Sequence, residues 1–179
     1  MKFSLETYQF KSGEKIASVG AGGALWEVGF GFECEGLSIC VQDIEIEKIS
    51  QNEIDDCIYS LQKIYKKPFK SIVYGVYGTE HNTNLKEKHY DKILLINCLH
   101  EFKFPINIIS DLKNKLKING GLLFVEEQLA SFSGQIHEDC QKKLFTEVEL
   151  IEIFEKENYT FLKSHKRSER SKIFCFRVE

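Results

Sequence analysis

Apolar residues in this chain gather in short runs that alternate with longer amphipathic stretches almost from the first residue. The runs Lys15–Gly20, Leu37–Ile44 and Phe69–Tyr77, the last rich in Val, Ile and aromatics, predict three strands. Asp91–Asn97 (D-K-I-L-L-I-N) is apolar without alternation, as expected of a central parallel strand buried on both faces, and Leu122–Glu126 predicts a fifth strand. Between them, Gly23–Phe32 predicts a short helix. In Lys48–Lys66, Ile54, Cys57, Ile58, Leu61, Ile64 and Tyr65 recur at helical spacing, and the segment stops just before Pro68. Pro105 opens a helix to about Ile118, closed by Asn119-Gly120-Gly121, and a Thr146/Glu149 capping box opens Glu147–Glu157.

The C-terminal pattern decides the topology. Tyr159–Ser164 and Lys172–Val178 are both strand-like, and the polar stretch between them is too short for a crossover helix. They must therefore pair as an antiparallel hairpin. The expected architecture is a single α/β domain with five parallel strands plus a C-terminal antiparallel β-hairpin and helices on both faces. Residues 1–14 form a lead-in, and 128–145 a long loop of the kind that often serves as a substrate lid.

Composition changes this picture little. With 179 residues, 42% hydrophobic and 28% charged, the chain suits one globular domain. A net charge of −3 supplies no field that would gather nucleic acid, and no nucleic-acid partner is expected. The local exception, Lys163–Lys172, sets Lys163, His165, Lys166, Arg167, Arg170 and Lys172 against Glu169. It reads first as a solvated turn between strands, and only second as a phosphate or RNA contact. Six cysteines without a C-x-x-C pair pack as free thiols. The absence of a signal-like apolar core or a membrane-length run makes a cytoplasmic location, with no membrane partner, the simplest expectation.

The densest chemistry lies in Ile16–Glu27, I-A-S-V-G-A-G-G-A-L-W-E. An apolar strand passes through a glycine turn into a helix, so bare backbone N–H groups and a helix N-terminus can approach a ligand. About twenty residues on, Asp43 ends the next strand, where a carboxylate can accept both hydroxyls of a ribose. An adenosine-bearing ligand is the natural occupant.

In the order of these motifs the chain resembles the class I, Rossmann-like methyltransferases that use S-adenosylmethionine. The resemblance is carried by V-G-A-G-G-A, Asp43, N-C-L-H-E-F (Asn97–Phe102) and L-K-I-N-G-G-L-L-F-V-E-E (Leu116–Glu127), and it spans nearly the whole length. It implies a single-domain Rossmann-like sheet and S-adenosyl-L-methionine as cofactor. By position, Gly20, Ala21 and Gly22 would line its methionine and ribose side, Asp43 would hold the ribose and Ile44 would pack on the adenine. Gly78, Thr79 and Glu80 would face the adenine edge, and Asn97 would sit beneath the sulfonium. Two departures stand out. Ser18 occupies the place of the family's usual acid, and Ala24 that of its third glycine. The family's N-terminal covering helices have only about fourteen residues to occupy, so internal loops, a homodimer contact or a partner subunit must complete the substrate pocket.

Methyl transfer to an activated carbon draws mostly on positioning, roughly 7–11 kcal/mol, against about 10²–10⁴-fold from a general base. His100, with Glu101 orienting the substrate, is the candidate base after the fourth strand; the alternative is helix-start polarity. His137 in the long loop is a second candidate, against a surface histidine. His137-x-x-Cys140 has metal-type spacing but no second pair, so no metal site is assigned. Trp26, Glu27, Phe102, Glu126 and Gln128 are the candidate substrate contacts, Phe102 alongside Phe104, while Phe10, Phe30 and Phe32 read as core and His81 and His89 as surface. The expected activity is methylation of a small molecule. A non-catalytic subunit of the same fold and a nicotinamide-dependent oxidoreductase are the alternatives, although the latter would want a small residue at Leu25 and a second domain.

Overall fold

The computed structural model describes residues 1–178. Seven strands form one sheet: β1 (Lys15–Val19), β2 (Ser38–Asp43), β3 (Ile72–Tyr77), β4 (Lys92–Ile96), β5 (Leu122–Gln128), β6 (Tyr159–Lys166) and β7 (Ser171–Val178). Their spatial order is β3-β2-β1-β4-β5-β7-β6. The first five are parallel; β7 runs antiparallel between β5 and β6, and places Val125 beside Phe174 and Glu126 beside Ile173. The expected α/β sheet with a hairpin ending is the observed one.

Strand alternation divides the core in two. Ala17, Val19, Ile93, Leu95, Leu123 and Val125 face α4 (Pro105–Lys113) and α5 (Glu147–Lys156), which contribute Ile109, Leu112, Leu150 and Phe154. Ile16, Ile39, Val41, Leu94 and Phe124 face α1 (Lys2–Tyr8), α2 (Leu25–Glu33) and α3 (Gln51–Tyr65), through Tyr8, Val28, Phe30, Phe32 and Ile54. The predicted apolar stripe of α3 holds except at Ile64, which is exposed.

Three segments differ from expectation. The N-terminal lead-in contains α1, whose Tyr8 is buried and packs edge-on against Phe30 and Phe124. Seven residues are too short for periodicity to reveal a helix, and its stability comes from docking. Helix α4 ends at Lys113 rather than near Ile118, because Leu116 leaves it to bridge Tyr90, with Lys117 N donating to Tyr90 O at 2.9 Å. The excursion after β5 is a loop without helix or strand, but it does not run freely. An Ile136–Lys143 bridge, flanked by His137 N to Lys142 O at 2.8 Å and Leu144 N to Gln135 O at 2.9 Å, folds it back on itself. That fold-back carries His137 and Cys140 toward the carboxyl ends of the strands.

Candidate active site

The turn leaving β1 lies where the parallel strands end. Gly20 has φ +65°, and a Cβ there would stand 2.9 Å from Cys98 Cβ and 3.2 Å from the Phe102 ring, so both backbone angle and space require glycine. Ala21 N–H donates to Gln42 O at 3.1 Å, which ties the turn to β2. Gly22 N–H donates to Asp43 Oδ2 at 2.9 Å, while Asp43 Oδ1 accepts from Ile44 N and Glu45 N at 2.8 and 3.0 Å. Asp43 therefore faces the glycine turn, as the motif reading requires.

Above this turn lies a cavity of about 370 Å³, within the range of small-molecule sites. Gly20, Gly22, Asp43, Ile44, Thr79 and Glu80 line it, with Phe102 and Glu101 on its far wall. Ala21 and Gly78 do not line it; Gly78 packs against the Gln42 side chain instead. Gln42 and Lys142 were missed by sequence reading, and both reach this cavity. Lys142 comes from the folded-back excursion, which only tertiary contacts bring across the strand tips.

A second cavity, about 600 Å³, opens on the other side of the segment after β4. Trp26, Asn97, His100, Gln128 and His137 line it, and Glu101 borders both spaces. Asn97, expected beneath the sulfonium, thus lies on the second cavity's wall. Phe102, expected among the substrate contacts, lies on the first cavity's wall.

His100 is oriented by a residue that sequence reading left unassigned. Glu127 Oε2 lies 2.6 Å from His100 Nδ1, and Glu127 Oε1 accepts from Leu99 N at 2.7 Å. Glu127 alternates with Glu126 and Gln128, so it faces the opposite side of the sheet from both. Burial alone would lower the His100 pKa, but the hydrogen bond to Glu127 and the charges of Glu127 and Glu101 outweigh it and raise it above the usual histidine value. Glu101 is the more distant partner, 3.8 Å from His100 Nε2.

Two expected substrate contacts, Glu27 and Glu126, are buried and line neither cavity. Glu126 is 1% exposed, accepts the Tyr8 hydroxyl at 2.9 Å and pairs with Arg167. Arg167 also stands over the Trp26 ring, 5.4 Å from its centroid, so this part of the basic segment turns inward rather than toward a phosphate. Glu27 is 2% exposed and lines neither cavity. Its Oε1 accepts the Ser18 hydroxyl at 2.5 Å, so α2 brings a carboxylate to the strand position where the family usually carries its own acid.

Burial raises the Glu27 pKa to about 7, more than the Ser18 hydrogen bond lowers it. The folded state then holds a proton that the unfolded chain releases near pH 4.5. Stability should fall as pH rises from 4.5 toward 7, by about 3 kcal/mol in all, and level off above. Glu27→Gln should remove this slope, leaving Tm similar near pH 4.5 and raising it roughly 6–12 °C at pH 8. Thermal melts across pH check this; equal slopes in both proteins would refute it.

Comparison with known proteins agrees with this geometry. A methyltransferase-domain family model matches residues 3–166. No curated protein sequence matches the chain. Among solved structures, an S-adenosylmethionine-dependent methyltransferase from Aquifex aeolicus superposes with TM-score 0.75 at 14% identity, over 99% of this chain and 89% of that one. The 1,6-didemethyltoxoflavin-N1-methyltransferase of Burkholderia thailandensis, solved with bound 1,6-didemethyltoxoflavin and S-adenosylhomocysteine, gives TM-score 0.71 at 15% identity, covering 99% and 76%. The [4+2]-cyclase SpnF gives 0.73 at 12% identity, covering 99% and 79%. Such identities speak for the fold alone. The chain belongs to the class I, Rossmann-like S-adenosylmethionine-dependent methyltransferase family. Membership displaces the nicotinamide-oxidoreductase alternative. No helix among the described residues is long and apolar enough to cross a membrane.

Proposed function

We propose that the protein is an S-adenosylmethionine-dependent methyltransferase acting on a small-molecule acceptor, with cofactor in the 370 Å³ cavity and acceptor in the adjoining 600 Å³ cavity. The observation that carries this reading is two cavities sharing the Glu101 wall at the carboxyl ends of β1, β2 and β4. The residues present fit the cofactor. Asp43 offers a carboxylate to a ribose, Ile44 an exposed apolar surface to an adenine, and Thr79 and Glu80 polar groups to its edge. A Cβ on Gly22 would meet nothing within 4 Å, so backbone there borders open space. When bound, S-adenosylmethionine supplies an electrophilic methyl group.

The protein's own residues would then orient the acceptor and handle its proton. Trp26 and Gln128 offer a flat apolar face and an amide, while His100, fixed by Glu127, and His137 present ring nitrogens. The non-catalytic alternative rests on Ser18 and on the short N-terminal lead-in; Glu27 sets a carboxyl group beside Ser18 but lines neither cavity, so that alternative remains the second reading. The test is calorimetric titration with S-adenosylmethionine and S-adenosylhomocysteine, followed by methyl-transfer screening of small nucleophiles. Saturable binding of both, with product from at least one acceptor, is expected. No binding at millimolar cofactor would refute the reading.

A further inference from the structure

His100, His137 and Cys140 present ligand atoms that all lie within 4.8 Å of one another, although the first is separated from the other two by β5 in the sequence. His100 is held separately from the other two. His100 sits in the short turn Leu99–Glu101 and is anchored through Nδ1 by Glu127, while Nε2 lies 3.8 Å from Glu101 Oε1, beyond hydrogen-bond distance. His137 and Cys140 occupy a tight turn in which Gln141 N–H donates to His137 O at 3.1 Å, and the isolated Ile136–Lys143 bridge ties the two arms of that turn together. The two histidine rings lie 5.3 Å apart, and Cys140 Sγ is 3.5 Å from His137 Nδ1.

We propose that His100, His137 and Cys140 form a binding site for a divalent transition metal of zinc type, open toward the second cavity. Two imidazoles and a thiol are borderline-to-soft donors, which favour zinc over magnesium or calcium. Three protein ligands leave a fourth position for an exogenous group, as in sites that act on substrate rather than closed structural ones. The carboxylate on the far nitrogen of His100 is the partner that metal-bound histidines ordinarily have: it fixes the tautomer and strengthens the donor. Glu101, on the same wall, adds negative charge, whereas Arg167 is neutralised by Glu126. Bonds of about 2.0–2.3 Å would draw the donors to about 3.4–3.8 Å from one another, a contraction within reach of the half-buried His137 and Cys140 side chains.

The substrate consequence rests on the methyltransferase reading. In the metal-loaded protein His100 and His137 are ligands, so the metal rather than a histidine base would ionise the acceptor: the open position faces the acceptor cavity, a hydroxyl or thiol bound there would lose its proton more readily, and oxygen or sulfur acceptors are favoured over carbon.

The test needs no cofactor, so it can fail or succeed independently of S-adenosylmethionine binding. Full-length protein, stripped with a chelator and kept reduced with a phosphine, is titrated with Co²⁺ and followed by absorption. The expected result is saturation at one equivalent, with a thiolate-to-cobalt charge-transfer band and the intense visible bands of a four-coordinate ion. Cys140→Ser should abolish the charge-transfer band, His137→Ala should abolish saturable binding, and the control Cys57→Ser should retain both signals. Thermal melting verifies that each variant is folded. A weak octahedral spectrum in the parent, or a thiolate band that persists in folded Cys140→Ser, overturns the proposal.

Discussion

Asp43→Ala is expected to weaken S-adenosylmethionine binding about 10²–10⁴-fold, measured by calorimetry against the parent protein. A ribose diol donating two hydrogen bonds to one carboxylate gains about 1.5–3 kcal/mol per bond to a charged acceptor, and alanine removes both. The same substitution frees the N–H groups of Gly22, Ile44 and Glu45 that Asp43 now accepts. Part of the loss will therefore reach the shape of the glycine turn. Asp43→Asn separates the contributions: it keeps one oxygen acceptor and one volume, and should lose affinity to an intermediate degree. Equal affinity in Asp43→Ala and the parent would mean that the ribose does not lie against β2.

The second large effect is expected on turnover. His100→Ala should lower kcat about 10²–10³-fold while leaving the dissociation constant for S-adenosylhomocysteine within about twofold, because His100 lines the second cavity and not the first. Glu127→Ala should lower kcat about 10–100-fold through misplacement of the His100 ring. It should also reduce stability by about 1–3 kcal/mol, since Leu99 N–H would be left buried without an acceptor. Glu127→Gln can still accept from Leu99 N–H through its remaining oxygen, so stability should largely recover while turnover stays low. Steady-state kinetics beside denaturant titrations read the two effects separately. A kcat unchanged in His100→Ala would remove the second cavity from the chemistry.

How much of this site was legible beforehand follows from the range of the forces involved. Gly20, Gly22 and Asp43 could be placed at the cavity because a strand, a tight turn and a helix start are local events, and the next strand's terminal acid sits at a set distance along the chain. Ile44, Thr79 and Glu80 came from the family resemblance, and His100 from the rule that ligands gather at the carboxyl ends of parallel strands. Glu27 and Glu126 lie outside both cavities for one shared reason. Polarity near the right strand end suggested a ligand, whereas each carboxylate is buried against a partner remote from its own helix or strand: Ser18 for Glu27, and Tyr8 with Arg167 for Glu126. Glu127 was overlooked beside them, although period-two alternation places it on the opposite face, toward His100.

Sequence alone determined the alternating elements, the antiparallel ending forced by a connection too short to cross over, and the glycine turn with its acid partner. These depend on periodicity, reach and backbone geometry, which neighbouring residues specify. Only the tertiary structure decided that α1 docks Tyr8 beneath β5, that Glu27 stands at Ser18, and that the 128–145 excursion folds back to set His137 and Cys140 beside His100. Those arrangements come from long-range burial and charge pairing between segments whose separation along the chain carries no information about their distance in space.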